Sequence, residues 1–402
     1  MKIKLGVLFG GPTTEHEISV ITAVQAMEHI DSEKYDIVPI YVGKNREWYT
    51  GSDLLNIENY KNMGMLLSGL INVVLYNRNG EFVLQKKNGL FKSVVRTVDI
   101  VMPLVHGYNM EDGNIEGYLN TIGVPYTGSD IFGCVVGQDK VFQKQIMESA
   151  KIPVLPYEWF YDSDFRENEK AIIDRLEKIG YPLIVKPARL GSSVGINVAK
   201  NKKELLSAIE EAASYDEKIV VEKALTKFVE LNCSVLGNNE IADTSVIEEV
   251  MGSDEFLSYR DKYMGSGKTK GKICSTKGMA STNRIIPARI DEKITDKIEK
   301  YSIKAFKALG ASGVVRIDYL MDKKTKEVFI NELNTIPGSL AFYLWTEKNK
   351  SYTELLNNII DLGVKRYKKN EKKTTSFDTN ILNDFNGLTG QKGVKGVKGS
   401  KF

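Results

Sequence analysis

Histidine and cysteine are scarce: each occurs three times in 402 residues. The histidines are His16, His29 and His106, and none follows residue 106. That absence excludes a tempting motif. Gly191-Ser192-Ser193-Val194-Gly195 matches the G-x-S-x-G nucleophile elbow, but an α/β-hydrolase places its histidine after the serine in the chain. The cysteines, Cys134, Cys233 and Cys274, are far apart and form no C-x-x-C pair, which argues against a disulfide framework and a structural zinc site. No apolar run approaches the ~18–20 residues that span a bilayer. The apolar stretch at residues 3–9 stops at Gly10-Gly11 and is too short for a signal peptide. The expected setting is a reducing cytoplasm, with no membrane partner. Charge of one sign is also lacking across the body of the chain. From Lys365 onward there are ten Lys/Arg against three Asp/Glu, an excess of +7; the net charge is +3, so residues 1–364 carry 3 − 7 = −4. A nucleic-acid footprint is not indicated.

Apolar content of 42% and charged content of 27% are ordinary for a globular protein, and this length implies two or three domains. A strand at residues 3–9, the turn Gly10-Gly11-Pro12, a helix from Glu15 to about residue 30, then strands at 36–42 and 99–105 open a doubly wound α/β unit. Residues 48–98 read as a peripheral insertion with a hairpin at 73–76 and 81–85. A helix at 140–150, a strand at 181–187, a helix at 202–214 and a strand at 218–222 follow. Strands dominate from residue 224 until a helix at 292–309. The Lys-Gly-Val repeats near the end are low in apolar content and high in like charge, and read as disordered.

The most informative stretch is residues 314–335. Both halves alternate apolar and polar residues with period two, the strand signature. Arg316 and Asp318 therefore share one face, as do Glu332 and Asn334 on the second strand. If residues 323–326 turn an antiparallel hairpin, Asp318 lies opposite Glu332. Hard divalent cations such as Mg²⁺ take oxygen ligands of this kind and usually share them with substrate phosphates. Arg316 is suited to stabilising negative charge on a reacting group. The bland alternative, an amphipathic hairpin with a solvated acidic face, weighs equally until the rest of the chain is considered.

At residues 186–195 a lysine ends an apolar strand and enters a glycine-serine loop, a combination suited to phosphate oxygens. Residues 220–225 form a strand that breaks into a linker whose backbone can meet an adenine edge, with Glu230 beyond it for a ribose hydroxyl. Gly265-Ser266-Gly267-Lys268-Thr269 imitates the end of a Walker A loop, but Lys262 stands where its first glycine belongs and no apolar helix follows.

In order along the chain, Leu8-Phe9-Gly10-Gly11 with Glu15-His16-Glu17-Ile18-Ser19, His106-Gly107 with Glu111-Asp112-Gly113, residues 186–195, Glu222-Lys223-Ala224-Leu225, Lys262-Tyr263, Arg316-Ile317-Asp318 and Asn331-Glu332-Leu333-Asn334-Thr335-Ile336-Pro337-Gly338 together resemble the D-alanine–D-alanine ligase family. The resemblance spans roughly residues 1–367. It implies an α/β ATP-grasp fold: a Rossmann-like N-terminal domain (1–136), then central (137–224) and C-terminal (225–367) α+β subdomains clamping ATP, with a basic tail (368–402). It also implies that ATP phosphorylates the carboxylate of a first D-alanine and that the amine of a second D-amino acid attacks the acyl phosphate. By family position Lys140, Lys186 and Lys262 would contact the phosphates. Ser193, Glu222, Lys223, Leu225 and Glu230 would complete the nucleotide site. Asp318, Glu332 and Asn334 would hold two Mg²⁺ ions (or Mn²⁺), with Glu332 bridging. Arg316 and the Gly338 amide would face the tetrahedral centre. Glu15 would anchor the first ammonium beside His106, and Ser192 and Tyr263 would bond to Glu15 as a glycine- and lysine-rich loop at 265–272 closes. Tyr343 stands where many members carry a serine for the second substrate's carboxylate. Met110 and Leu190 replace a common glycine and a common acidic residue. A homodimer is expected. The alternatives are a ligase that adds D-serine and, from another class, an inactive ATP-grasp protein that only binds nucleotide.

Overall fold

The computed structural model describes residues 2–89, 92–192, 194–251 and 284–375. Among these, the strands assemble into three sheets.

The first sheet contains β1 (Ile3–Gly10), β2 (Tyr35–Val42), β3 (Trp48–Thr50), β4 (Ile71–Arg78), β5 (Glu81–Lys86), β6 (Val94–Val98) and β7 (Ile100–Pro103), in the order β6-β5-β4-β3-β2-β1-β7. Its β2-β1-β7 portion is parallel and carries the crossover helix α1 (His16–His29). Leu5, Val7, Leu8 and Phe9 are all fully buried, the continuous apolar run expected of a strand covered on both faces. The expected peripheral insertion differs in one respect. β3 to β6 extend the same sheet by antiparallel pairing: β3 covers the edge that β2 would otherwise leave open, and each later strand pairs with the one before it. Short helices α2 (Met63–Gly69), α3 (Asn114–Ile122) and α4 (Ile131–Gln138) complete this part.

Helix α5 (Lys140–Ser149) leads to a second, antiparallel sheet of β8 (Tyr157–Tyr161), β9 (Leu183–Pro187), β10 (Asn197–Ala199) and β11 (Lys218–Lys223), ordered β10-β9-β11-β8. Helices α6 (Asp162–Ile179) and α7 (Lys202–Ala213) pack on it through Ile173, Leu176, Leu205 and Ile209.

The third sheet joins β12 (Phe228–Gly237), β13 (Ala242–Val250), β14 (Arg284–Ile285), β15 (Gly313–Asp322) and β16 (Val328–Asn334), ordered β14-β13-β12-β15-β16 and antiparallel throughout. Helix α8 (Glu292–Ala308) covers it with Ile298 and Phe306. After β16 come α9 (Phe342–Thr346) and α10 (Tyr352–Asn370). A capping box between Ser351 and Glu354 starts α10. Its Leu355, Leu356, Ile359 and Ile360 then enter the core of the first sheet. This docking joins the two ends of the described chain, and truncating one such leucine to alanine would cost about 2–5 kcal/mol.

Candidate active site

The hairpin expected from alternation forms. Asp322 accepts from the backbone N–H groups of Lys324 and Thr325 and closes the turn. Asp318 stands opposite Glu332, and Arg316 opposite Asn334. The register slips between Asp318 and Tyr319, a bulge that leaves Asn331 unmatched. Strict alternation puts Asn331 on the face away from Glu332. Instead its Oδ1 accepts from the Lys186 ammonium at 3.1 Å. Asn331 is thus a site residue that period-two reading misses.

Arg316 lies across Asp318 in a two-pronged contact, Nε to Oδ1 at 2.6 Å and Nη2 to Oδ2 at 2.7 Å. Asn334 Nδ2 donates to Asp318 Oδ2 at 3.1 Å. Burial opposes the guanidinium charge, but the Asp318 carboxylate outweighs it and holds the Arg316 pKa above its ordinary value. Among the described residues no group of three or more His, Cys, Asp or Glu side chains forms a metal cage. The set here is two carboxylates and one amide on one face of a hairpin. Hard oxygen donors in that number suit a divalent cation that takes its remaining ligands from phosphates and water.

The lysines reach this face from two other elements. Asp139 accepts from the Val141 and Phe142 N–H groups and caps α5, fixing Lys140 in its first turn. Gln143 pairs both hydrogen-bonding groups of its amide with the backbone of Leu333 (3.0 and 2.8 Å), which locks α5 to β16. Lys140 Nζ therefore lies 3.7 Å from Glu332 Oε2 while donating to the Leu190 carbonyl. Lys186, at the end of β9, sits 2.9 Å from Glu222 Oε1, and Lys144 sits 2.9 Å from Glu222 Oε2. All three side chains are buried. Charge more than directional hydrogen bonding holds this triad. Burial alone would raise the Glu222 pKa, but Lys144 and Lys186 pull it down to about 2. Lys144 lies one helical turn after Lys140, a spacing that was available as a signal.

The rest of the expected nucleotide set is less convergent. Lys223 turns its ammonium to the carbonyls of Gly180 and Tyr181, 2.8 Å each, and its own N–H to Pro156. Leu225 packs with Leu155, Phe228 and Leu320. Glu230 lies half-buried on β12. Ser193, Lys262, Tyr263 and the 265–272 run lie outside the described residues, as do Cys274 and the tail from residue 376.

At the first sheet, Glu15 precedes α1 and Ser192 donates to its carboxylate. Two glycines make room there. A Cβ on Gly191 would stand 2.5 Å from Glu15 Oε2, and one on Gly107, whose φ is +80°, would stand 2.3 Å from Thr13 Oγ1. Met110 occupies space that only a glycine at position 11 leaves open. His106 is buried. Burial first, and then Arg316, lower its pKa to about 4, so it is neutral at pH 7. Glu111 accepts from Gly107 N, Thr335 Oγ1 and Ile336 N, and burial with help from Glu15 raises its pKa to about 7. It ties the 107–111 turn to the loop after β16. His16 bonds to the Gly11 carbonyl and the Tyr41 hydroxyl, a structural position.

Tyr343 is buried on α9 and donates its phenolic hydrogen to Glu248 Oε1 at 3.0 Å. Glu248 also takes bonds from Asn232 and Arg284, 2.8 Å each. Arg284 stacks 4.2 Å over the Tyr343 ring. Burial and then Glu248 raise the phenol to about 12. Gly338 opens the turn between β16 and α9.

Two family descriptions match the chain: D-ala D-ala ligase N-terminus over residues 4–129 and D-ala D-ala ligase C-terminus over 146–361. A D-alanine–D-alanine ligase of Thermosipho melanesiensis is 37% identical over 382 residues, 94% of this chain and 98% of that protein. One from Clostridium acetobutylicum is 35% identical, covering 91% and 99%. Among solved structures, a D-Ala:D-Ser ligase of Enterococcus faecalis superposes with a TM-score of 0.74 at 29% identity, over 90% of this chain and all of that one. The D-alanine–D-alanine ligase of Coxiella burnetii, at 24% identity and a TM-score of 0.75 over 96% and 98%, shares the fold.

Proposed function

This chain belongs to the D-alanine–D-alanine ligase family, and we propose that it joins two D-alanines at the expense of ATP to supply peptidoglycan synthesis. One observation carries the reading. Three elements distant in sequence bring Lys140 to 3.7 Å from Glu332 and Lys186 to 3.1 Å from Asn331, beside the Asp318–Glu332 pair. Cations and oxygen ligands on one face are what phosphoryl transfer needs, since it depends on positioning and charge neutralisation.

In this reading Lys140 and Lys186, with Lys262, hold the phosphates of ATP. Glu222, Lys223, Leu225 and Glu230 line the nucleoside, with Lys223 engaged through its backbone carbonyl because its ammonium is already committed. Two Mg²⁺ ions held by Asp318, Glu332 and Asn334 would supply further charge neutralisation at the transferring group. Glu15 binds the ammonium of the first D-alanine and neutral His106 lies beside it. The carboxylate takes the γ-phosphoryl group. The amine of the second substrate then attacks the acyl carbon, the carbonyl oxygen gains charge against Arg316 and the Gly338 amide, and phosphate departs as the peptide bond forms. Ser192 bonded to Glu15 keeps the 186–195 loop over the site and excludes water from the acyl phosphate.

D-serine is the second reading for the acceptor, favoured by the Enterococcus faecalis neighbour and by Tyr343 at the acceptor side. Phe132, 77% exposed on α4 with Val135 nearby, supports self-association as a homodimer, which sedimentation tests. No helix among the described residues is long and apolar enough to cross a membrane, and consumption of ATP fits a cytoplasmic site. The deciding assay supplies ATP, Mg²⁺ and D-alanine with added D-alanine, D-serine or D-lactate and weighs the product. A D-alanyl-D-alanine mass is expected; absence of any ATP-dependent condensation refutes the proposal.

A further inference from the structure

Directly after Gly338, three consecutive residues with side chains adopt left-handed backbone: Ser339 (φ 52°, ψ 24°), Leu340 (52°, 23°) and Ala341 (50°, 29°). Each Cβ disfavours this region, and a run of three without glycine persists only where the surroundings hold it. All three residues are buried. Two local bonds help, from Leu340 N to the Pro337 carbonyl at 2.8 Å and from Phe342 N to the Ser339 carbonyl. The others come from α1 in the opposite domain. Ser339 N donates to Thr22 Oγ1 at 3.1 Å, and Ser339 Oγ donates to Gln25 Oε1 at 2.6 Å.

Proton accounting extends the link. An amide N–H only donates, so Thr22 Oγ1 accepts from Ser339. Thr22 Oγ1 also lies 3.0 Å from His106 Nε2, and keeps a hydrogen and a second lone pair with which to bond it. One threonine hydroxyl thus connects the histidine on the first-substrate side to the turn that follows Gly338 on the second. Both partners belong to the same α1 face, one turn apart, and Thr22 is buried.

We infer that Thr22 and Gln25 are positioning residues for the second half of the reaction: they hold the left-handed 339–341 turn so that the Gly338 amide and α9 meet the acyl phosphate in a fixed place. The inference rests on the ligase reading above. Its consequence is specific. If the turn relaxes, acyl phosphate still forms, because the lysines and Asp318, Glu332 and Asn334 are untouched. Attack by the amine slows, and water takes the acyl phosphate instead, regenerating D-alanine and releasing phosphate. ATP consumption then outruns dipeptide formation.

The test uses the full chain as Thr22→Val, Thr22→Ser and Gln25→Ala, with ATP, Mg²⁺ and saturating D-alanine. ADP and dipeptide are quantified in the same tubes, and melting temperatures report the fold. Wild type and Thr22→Ser are expected to release one ADP per dipeptide. Thr22→Val and Gln25→Ala are expected to lose about five- to tenfold in dipeptide rate, the size of one lost hydrogen bond, with ADP in clear excess. Should Thr22→Val not fold, the half-buried Gln25 position carries the test alone. Coupling of one to one in both Thr22→Val and Gln25→Ala overturns the inference while leaving the ligase reading intact. A wild-type protein that makes no dipeptide sinks the ligase reading, and the inference with it.

Discussion

Replacing Lys144 by methionine keeps most of the side chain's volume and removes one cation from the buried Glu222 triad. The contact is 2.9 Å on each side of the carboxylate. At an effective dielectric of about 20, one such pair is worth about 6 kcal/mol in Coulomb energy, against a desolvation cost of several kcal/mol per ion. The pKa gives a second measure. Glu222 falls from 4.5 to about 2 on folding, and at about 1.4 kcal/mol per unit that is roughly 3.5 kcal/mol, shared between Lys144 and Lys186; burial lowers the Lys144 pKa, so its own desolvation offsets part of the pairing. Because Lys186 still pairs with Glu222 after the replacement, Lys144 accounts for about half of that, on the order of 2 kcal/mol, below the ~3–5 kcal/mol of leaving a buried charge with no partner. Because the folded pKa is depressed, the contribution is present above pH 4.5 and lost as pH falls toward 2. Urea unfolding of wild type and Lys144→Met, followed by far-ultraviolet circular dichroism at several pH values, measures it. The expected difference is about 2 kcal/mol at pH 7, shrinking below pH 4.5, with part of it recovered in the Lys144→Met/Glu222→Gln double variant. A difference below about 0.5 kcal/mol at pH 7, or one that does not change between pH 6 and pH 3, refutes the argument.

Glu332→Gln is expected to abolish turnover while the melting temperature stays near wild type, and wild-type rates would contradict its place among the metal ligands. Glu111 has the opposite sign from Glu222. Its folded pKa is raised to about 7, so its contribution to stability is present below pH 4.5 and lost as pH rises through 7; Glu111→Gln should flatten the melting-temperature profile between pH 5 and pH 8, and an unchanged slope would remove Glu111 as its source. Tyr343→Ser deletes the phenol that donates to Glu248 and should shift the ratio of D-alanine to D-serine incorporated in direct competition; an unaltered ratio would place Tyr343 outside acceptor recognition.

The hairpin was legible because period two survives in both strands and a two-sided polar face is rare in a sheet covered by a helix. Asp318 opposite Glu332 followed from that pattern alone. Asn331 did not, because strict period two puts it on the opposite face; the bulge moves it across, at the consecutive polar pair Asn331-Glu332 where the alternation breaks. The parallel start of the first sheet was visible in its apolar runs, whereas strands β3 to β6 looked peripheral: their place in that sheet depends on β3 alone pairing with the β2 edge. Lys140 and Lys186 were found as single motif positions. Their convergence depends on Gln143 binding the Leu333 backbone across 190 residues, a contact with no local signature. Thr22 and Gln25 were missed for the same reason, and Glu111, singled out within its motif, was given no role of its own. Each bonds to residues 335–339 from far back in the chain, and nothing in the neighbourhood of Thr22 and Gln25 distinguishes them from ordinary helix positions.

The central claim is that an otherwise inert D-alanine carboxylate becomes electrophilic by taking a phosphoryl group at the face formed by Lys140, Lys186 and the Asp318–Glu332 hairpin. D-alanine labelled with oxygen-18 in its carboxylate tests this most directly. During dipeptide synthesis with ATP, the released phosphate is expected to carry one labelled oxygen, since the bridging oxygen leaves with phosphorus. Unlabelled phosphate appearing in step with dipeptide would contradict it.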